Sequence, residues 1–222
     1  ARQGIFGDLM RAMTRWLAAL AALLVLAALL GIGVLRGSLA QLDGDVSVAG
    51  LNKTVTVTRD AYGVPDITAA SRVDLARALG YVHGQERFFQ MDLSRRDAAG
   101  ELSALFGAAA VAHDKKRRFH GLRRVAQGAI ANARADIRPL LEAYTQGVNA
   151  GLDELRVRPF EYLLLRQSPH PWKTEDSALV ILAMWLTLTD ENAARDLNLT
   201  RMRAVLPKVA FDYLTQAGSP LD

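Results

Sequence analysis
The sequence predicts a mainly α-helical chain with a few β-strands, preceded by a helix long enough to span a membrane. Three observations carry this expectation. Trp16 to Leu35 is a run of twenty residues without a charge. Apolar residues recur at helical intervals through most of the chain beyond Ser71. Alternation of apolar with polar residues is confined to a short stretch around Val46–Val57.

Twenty helical residues rising ~1.5 Å each cover about 30 Å, the thickness of a bilayer's hydrocarbon core. Arg2, Arg11 and Arg15 precede the run, whereas Arg36, Asp43 and Asp45 come after it. The positive-inside bias then leaves the N-terminus in the cytoplasm and the rest of the chain outside. A cleaved secretory signal is the alternative; its apolar region is usually shorter, roughly 7–15 residues, and Ser38-Leu39-Ala40 would be its cleavage site. The expected organisation is residues 1–36 as cytoplasmic tip and anchor or signal helix, 37–50 as a polar Gly- and Asp-containing linker, and 51–222 as a helical domain. In a bacterium the domain is anchored to the inner membrane facing the periplasm, or is periplasmic if the segment is cleaved.

Val46, Val48, Val55 and Val57 alternate with polar residues and predict short strands around a Gly50–Lys53 turn. Ser71 followed by Asp74 is a capping pattern that opens a long helix, and Leu75, Leu79, Val82, Phe89 and Leu93 predict its apolar face. Gln85, Glu86, Arg87, Gln90, Asp92, Arg95 and Arg96 crowd the same helix, where burial demands partners. Ile137, Leu140, Leu141, Tyr144, Val148, Leu152 and Leu155 predict a second amphipathic helix, with Asp136 as its cap. After Pro159, Pro169 and Pro171, Thr174 and Ser177 introduce Ala178 to Leu188, apolar on every side and expected to be buried throughout. A final helix is expected from about Ala193 to Leu206, stopped at Pro207. Two lone strands are marginal in water and want a partner sheet.

Half the residues are apolar, enough for a packed core, and there is no cysteine. Disulfides, thiolate metal sites and cysteine nucleophiles are thereby excluded. The net charge of +4 is concentrated in Lys115-Lys116-Arg117-Arg118 and Arg123-Arg124. Such a cluster can bind nucleic acid or anionic lipid, but a solvated helical face partly paired with carboxylates accounts for it, and an extracytoplasmic location argues against nucleic acid. Eight serines and four histidines (His83, His113, His120, His170) form no G-x-S-x-G elbow and no H-E-x-x-H zinc motif.

The stretch Gly80–Gly107, GYVHGQERFFQMDLSRRDAAGELSALFG, closely resembles the early helix of the penicillin acylase family, whose signature runs roughly G-Y-x-x-A-Q-[DE]-R-x-F-Q-M-[DE]-x-x-R-R-x-x-x-G. Val57 to Ile67 resembles the family's opening strand and turn, with Asp66 where the family has His. Asp114 with Arg117 and Arg118, then Pro171-Trp172 and Asp176, come next in family order, so the resemblance covers roughly Val55 to Leu206. It implies the α chain of a two-chain αββα N-terminal-nucleophile hydrolase, cut from one precursor by autoproteolysis. The nucleophile would be the Ser that begins the β chain, so no catalytic residue is expected in a chain beginning with Ala1. The resemblance further implies a heterodimer with that β chain, and Gln85, Arg87, Arg95 and Arg96 are expected to bond across to it. The substrate would be a small N-acylated amide of β-lactam or N-acyl homoserine lactone type. Met184, Trp185, Leu188 and Thr189 fall near the family's acyl-pocket positions. No cofactor is expected for catalysis. Asp196, with Glu191 and Asp190 as substitutes, is the candidate ligand for a structural calcium, the remaining oxygens coming from the β chain. The competing reading is a membrane-tethered binding or scaffold protein that kept the acylase fold without activity.

Overall fold
The computed structural model describes residues 2–189, 193–216 and 218, with side chains from residue 13 onward. Helix α1 (Arg2–Gly37) contains a stretch, Met13–Gly37, of mean hydropathy 2.8, long and apolar enough to cross a membrane. Its residues from Met13 to Arg36 all stand exposed. The segment after it lies along the body: Ser38 Oγ donates to the Arg158 carbonyl (3.0 Å) and the Gln41 N–H donates to Gln85 Oε1 (3.1 Å).

Val57 lies in a strand, and Val57 to Ile67 forms the strand and turn that the resemblance implied, but the hairpin does not turn at Gly50–Lys53. Strands β1 (Thr56–Arg59) and β2 (Pro65–Thr68) form an antiparallel hairpin with Val57 opposite Ile67. Its turn is closed by Asp60, whose carboxylate accepts the N–H groups of Tyr62 (2.8 Å) and Val64 (2.9 Å), while Gly63 takes φ +78°. Val46 and Val48 form no strand. Instead the chain there is held by Arg77 donating to the Ala49 carbonyl and by Asn52 donating its N–H to Asp74 (2.9 Å).

Helix α2 (Arg72–Ala99) starts where expected: Ser71 Oγ accepts the Asp74 N–H at 3.1 Å. It ends in a Schellman arrangement, with Gly100 left-handed and the Glu101 N–H bonded to the Arg96 carbonyl. At Arg87 the backbone leaves helical geometry (φ −144°, ψ 25°) and divides the helix in two. Past it run α3 (Ser103–Phe106), a 3₁₀ turn (Gly107–Ala110), α4 (Val111–Phe119) and α5 (Leu122–Ala131). Asp114 accepts the N–H groups of Leu102 (3.0 Å) and Ser103 (2.7 Å), tying α4 to the start of α3.

Helix α6 (Arg138–Asp153) packs directly on the first half of α2. Four glycines make that contact. A Cβ on Gly80 would stand 2.2 Å from the Tyr144 carbonyl oxygen, and one on Gly84 2.2 Å from that of Val148. Reciprocally, a Cβ on Gly147 would stand 2.0 Å from the Arg77 oxygen and one on Gly151 2.2 Å from that of Tyr81. This close approach rotates α2 relative to the face predicted. Val82 is buried as predicted and Phe89 packs against the core, but Leu75 and Leu79 remain exposed, and the buried stripe also takes in Asp74, Ala78, Gln85, Phe88, Asp92 and Arg95. The expected cap Asp136 caps nothing; it pairs with Arg134 (2.8 Å), and α6 begins at Arg138-Pro139.

The remaining helices are α7 (Phe160–Leu164), α8 (Thr174–Leu188), α9 (Ala194–Val205) and α10 (Lys208–Leu214). Helix α9 ends before Pro207 as expected, and α10 comes after it unpredicted. Neither Thr174 nor Ser177 caps α8; Asp176 does so by accepting the Lys173 N–H at 2.9 Å, and Ser177 takes the Trp172 indole N–H. Nor is α8 buried throughout. Leu179 and Leu186 face α5, whereas Ile181 and Leu188 stand 69% and 78% exposed. One apolar cluster joins Phe88, Val148, Leu152, Tyr162 and Trp172; a second joins Ala98, Leu122, Ala126, Leu179 and Leu186.

Gly147→Ala drives a methyl into the Arg77 carbonyl and should destabilise the chain by about 3 kcal/mol. Gly128→Ala on exposed α5, where a Cβ meets nothing within 4 Å, should stabilise by roughly 0.5–1 kcal/mol; denaturant titration of both variants checks the contrast. Asp74 is held below its ordinary pKa, first by the Asn52 N–H, although burial opposes. Asp114 is also held low: burial pushes upward, but the Ser103 hydroxyl and the Ser103 and Leu102 N–H groups outweigh it. A carboxyl depressed in the folded state contributes stability above its unfolded pKa, near 3.8, and that contribution is lost as pH falls through the folded value. Thermal scans should therefore show the Asp74→Asn/Asp114→Asn variant less stable at neutral pH, with a shallower loss below about pH 4.

Candidate functional site
The polar residues of α2 find their partners inside this chain. Arg95 Nε donates to Asp92 (2.7 Å), Nη1 to Asp176 (2.6 Å) and the Pro171 carbonyl (2.8 Å), and Nη2 to the His170 carbonyl (2.6 Å). Its guanidinium lies 5.1 Å from the centroid of the Trp172 ring and 5.7 Å from that of Phe88. Arg96 Nε donates to the other Asp92 oxygen at 2.9 Å, and the Tyr162 hydroxyl joins it there at 2.6 Å. Arg123 reaches Asp176 (3.3 Å) and grips Glu101 with two bonds (2.9 and 2.7 Å). Asp92 and Asp176 are fully buried, and every oxygen they present is used. Burial, reinforced by the Asp92 acceptor, pushes the Tyr162 hydroxyl well above the usual phenol range, so it acts as a neutral donor. The expectation that Gln85, Arg95 and Arg96 bond across to a second chain is therefore corrected: Gln85 bridges Tyr81 and Gln41, and the two arginines complete an internal network. Arg87, in contrast, is exposed.

This network holds structure and offers no nucleophile. His83 shares a hydrogen bond with the Tyr144 hydroxyl (2.9 Å); burial, then the charge of Arg87, lowers its pKa, while burial pushes Tyr144 up to about 12. His113 pairs with Asp97 beside Arg117, and Arg118 donates to the Gly100 carbonyl (2.7 Å), so much of the basic cluster is internally engaged. A cleft of about 430 Å³ opens between the 38–42 segment, the hairpin turn and the middle of α2. Leu39, Leu42, Phe89 and Phe160 make it apolar, and the Arg59–Glu86 ion pair closes one side.

The residues expected at the acyl pocket lie elsewhere, together at the end of α8. Met184 and Trp185 are both 57% exposed, Leu188 more so, and Thr189 caps the helix by donating its hydroxyl to the Trp185 carbonyl (2.8 Å). Met184, Trp185 and Leu188 form an open apolar face on α8. Asp196 stands exposed in the first turn of α9, and among the described residues no group of three or more carboxylates or imidazoles converges on one point. Among the described residues no such group gathers the six to eight oxygens that a calcium ion takes. Asp190 and Glu191 lie outside the described residues. Sequence reasoning missed Tyr162, whose link to Asp92 spans seventy positions and leaves no local signal. It also missed the glycine pairs, which were legible as G-x-x-x-G spacing at Gly80/Gly84 and Gly147/Gly151.

The penicillin amidase family profile matches residues 54–219. The chain belongs to the penicillin amidase family. It is 38% identical over 154 residues to the penicillin acylase 2 proenzyme of Pseudomonas sp. strain SE83, covering 69% of this chain and 20% of that protein. To the acyl-homoserine lactone acylase QuiP of Pseudomonas aeruginosa it is 36% identical over 144 residues, covering 64% and 17%. The chain thus spans about a fifth of the length of these relatives. Its fold matches a thermostable penicillin G acylase from Alcaligenes faecalis with a TM-score of 0.58 at 28% identity, over 76% of this chain and 97% of that one. It corresponds to the α-chain region of the family. The family's signature helix is the helix that carries Asp92, Arg95 and Arg96.

Arg95→Met leaves Asp92 and Asp176 buried without their shared partner and should destabilise the chain by about 3–5 kcal/mol. Tyr162→Phe removes one donor from Asp92 and should cost about 1–3 kcal/mol. Urea titrations of the two variants, compared at equal m-value, check the order.

Proposed function
We propose that this chain is the α-chain part of a penicillin-acylase-type amidohydrolase that cleaves the amide bond of N-acylated small molecules. The reading rests on one observation above others: 76% of this chain matches 97% of a penicillin G acylase chain at 28% identity. In this reading the nucleophile is the N-terminal Ser of a second, β chain. Its α-amino group, titrating near pH 8, takes the hydroxyl proton as the oxygen attacks the amide carbonyl. The oxyanion collapses, the proton passes to the departing amine, and water then hydrolyses the acyl-enzyme.

The role proposed for the present chain is to wall the acyl pocket with Met184, Trp185, Leu188 and Thr189. Their exposed apolar face fits such a role, because a contiguous apolar surface of this kind calls for a cover. Asp196 is proposed as the ligand this chain lends to a structural calcium completed by the β chain. Helix α1 anchors the enzyme on the periplasmic side of the inner membrane. The apolar side chains at the α8 end favour an apolar acyl group, and relatives named as penicillin and acyl-homoserine lactone acylases bracket the substrate class.

Expression of the whole precursor tests this directly. A second chain beginning with Ser should co-purify, and the pair should hydrolyse N-acyl homoserine lactones or penicillin G; a stable complex without hydrolysis would favour the inactive scaffold. Trp185→Ala and Leu188→Ala should change kcat/KM ratios between short and long acyl chains by about 10–200-fold. Arg95→Met should instead lower the yield of assembled enzyme and leave the substrate ranking intact.

A further inference from the structure
The end of α1 is joined to the body in a way that fixes what faces a membrane. The Gly37 carbonyl accepts the Val157 N–H at 3.0 Å, and Ser38 Oγ donates to the Arg158 carbonyl at 3.0 Å. A Cβ on Gly37 would stand only 2.7 Å from the Val157 side chain, so the contact is tight. The apolar run ends at Leu35 and the first charge is Arg36. If α1 spans a bilayer, as proposed above, Arg36 marks the outer edge of the hydrocarbon and Gly37 lies one ~1.5 Å rise beyond it. The headgroup layer is about 5–8 Å deep on each side. Residues 156–158, bonded to Gly37 and Ser38, therefore lie within it.

We infer that the surface formed by Arg36, Arg156, Arg158 and Arg166, with Phe160 and Leu164, docks on the membrane and recognises anionic phospholipid headgroups. The composition of the surface fits that occupant. Arg158 bonds Ser168 (2.9 Å), which brings the 166–168 loop beside it. Arg36, Arg156 and Arg166 are exposed and none pairs with a carboxylate among the described residues. Glu161 is the one carboxylate between Leu155 and Thr174, and it turns toward the cleft. Leu164 stands 77% exposed on α7 as an apolar tip among these guanidinium groups, and Phe160 (42%), four residues before it, also borders the cleft. Arginine suits the partner, because its planar donors meet phosphate in two places at once, and an apolar tip amid cations is how interfacial elements bind.

Because the chain has no cysteine, Leu164→Cys can carry a single bimane label in the full chain. The labelled chain is reconstituted into phosphatidylcholine vesicles, with or without phosphatidylglycerol, containing lipids brominated near the headgroup. Quenching should be strong with phosphatidylglycerol and weaker without it, and Arg156→Gln and Arg166→Gln should each lower the docked-to-lifted ratio about fivefold. Quenching indifferent to both lipid charge and these substitutions overturns headgroup recognition. No quenching in a chain that resists alkaline carbonate extraction overturns the docking and leaves the anchor standing. A chain released by carbonate overturns the anchor, and the docking with it.

Discussion
Two helices in this chain touch backbone to backbone, and the rest of the molecule is arranged around that contact. Gly80 and Gly84 on α2 meet Gly147 and Gly151 on α6, each with space for hydrogen and none for a methyl. Close-packed interiors relax little, so the crossing fixes the rotation of both helices. Once α2 is set in that rotation, its second half presents Phe88, Asp92 and Arg95 to the chain that leaves α6. The run from Pro159 to Asp176 then crosses over that half and delivers Tyr162, Trp172 and Asp176 to it.

What meets there is a buried ionic network. Two carboxylates and three guanidiniums share bonds with a phenol, an amide N–H and two carbonyls, and Arg95 lies against two aromatic rings. Such a network is a weak source of net stability, since desolvation offsets much of the attraction. Its effect is geometric: with every site satisfied, Asp176 holds α2, α5 and the start of α8 in one arrangement. That arrangement sets the direction of α8, and with it the place where Trp185 and Leu188 emerge. Helix α2 thus sets the position of the surface on which the proposed pocket depends.

Two of the open surfaces differ in kind. The α8 face is apolar with few charges, suited to another protein chain or to an acyl group. The face around Arg156 and Arg158 mixes guanidiniums with a small apolar tip, suited to a lipid headgroup layer. The α1 junction decides which is which, because a two-residue bonded hinge at Gly37-Ser38 holds the basic face at the end of the apolar helix.

The sequence by itself determined the order of the main helices, α1, α2, α6, α8 and α9. The Ser71 and Asp74 cap, the uncharged run from Trp16 to Leu35 and the family signature on α2 were all legible, because capping, hydropathy and a contiguous motif are local properties. The acyl-pocket residues were placed by resemblance, and nothing local in α8 distinguishes an exposed apolar side from a buried one. Tertiary structure decided the rest. Which side of α2 is buried depends on glycines in two segments more than sixty residues apart; apolar periodicity placed Val82 and Phe89 correctly but not Leu75 and Leu79. Val46 and Val48 had strand character without a strand to pair with, while Thr56–Arg59 found one across a turn closed by Asp60. Arg95 and Arg96 looked like groups reaching for a second chain. Whether a buried charge bonds inside or outside its own chain depends on where Asp176 and Tyr162 arrive, and only the packed fold brings them there.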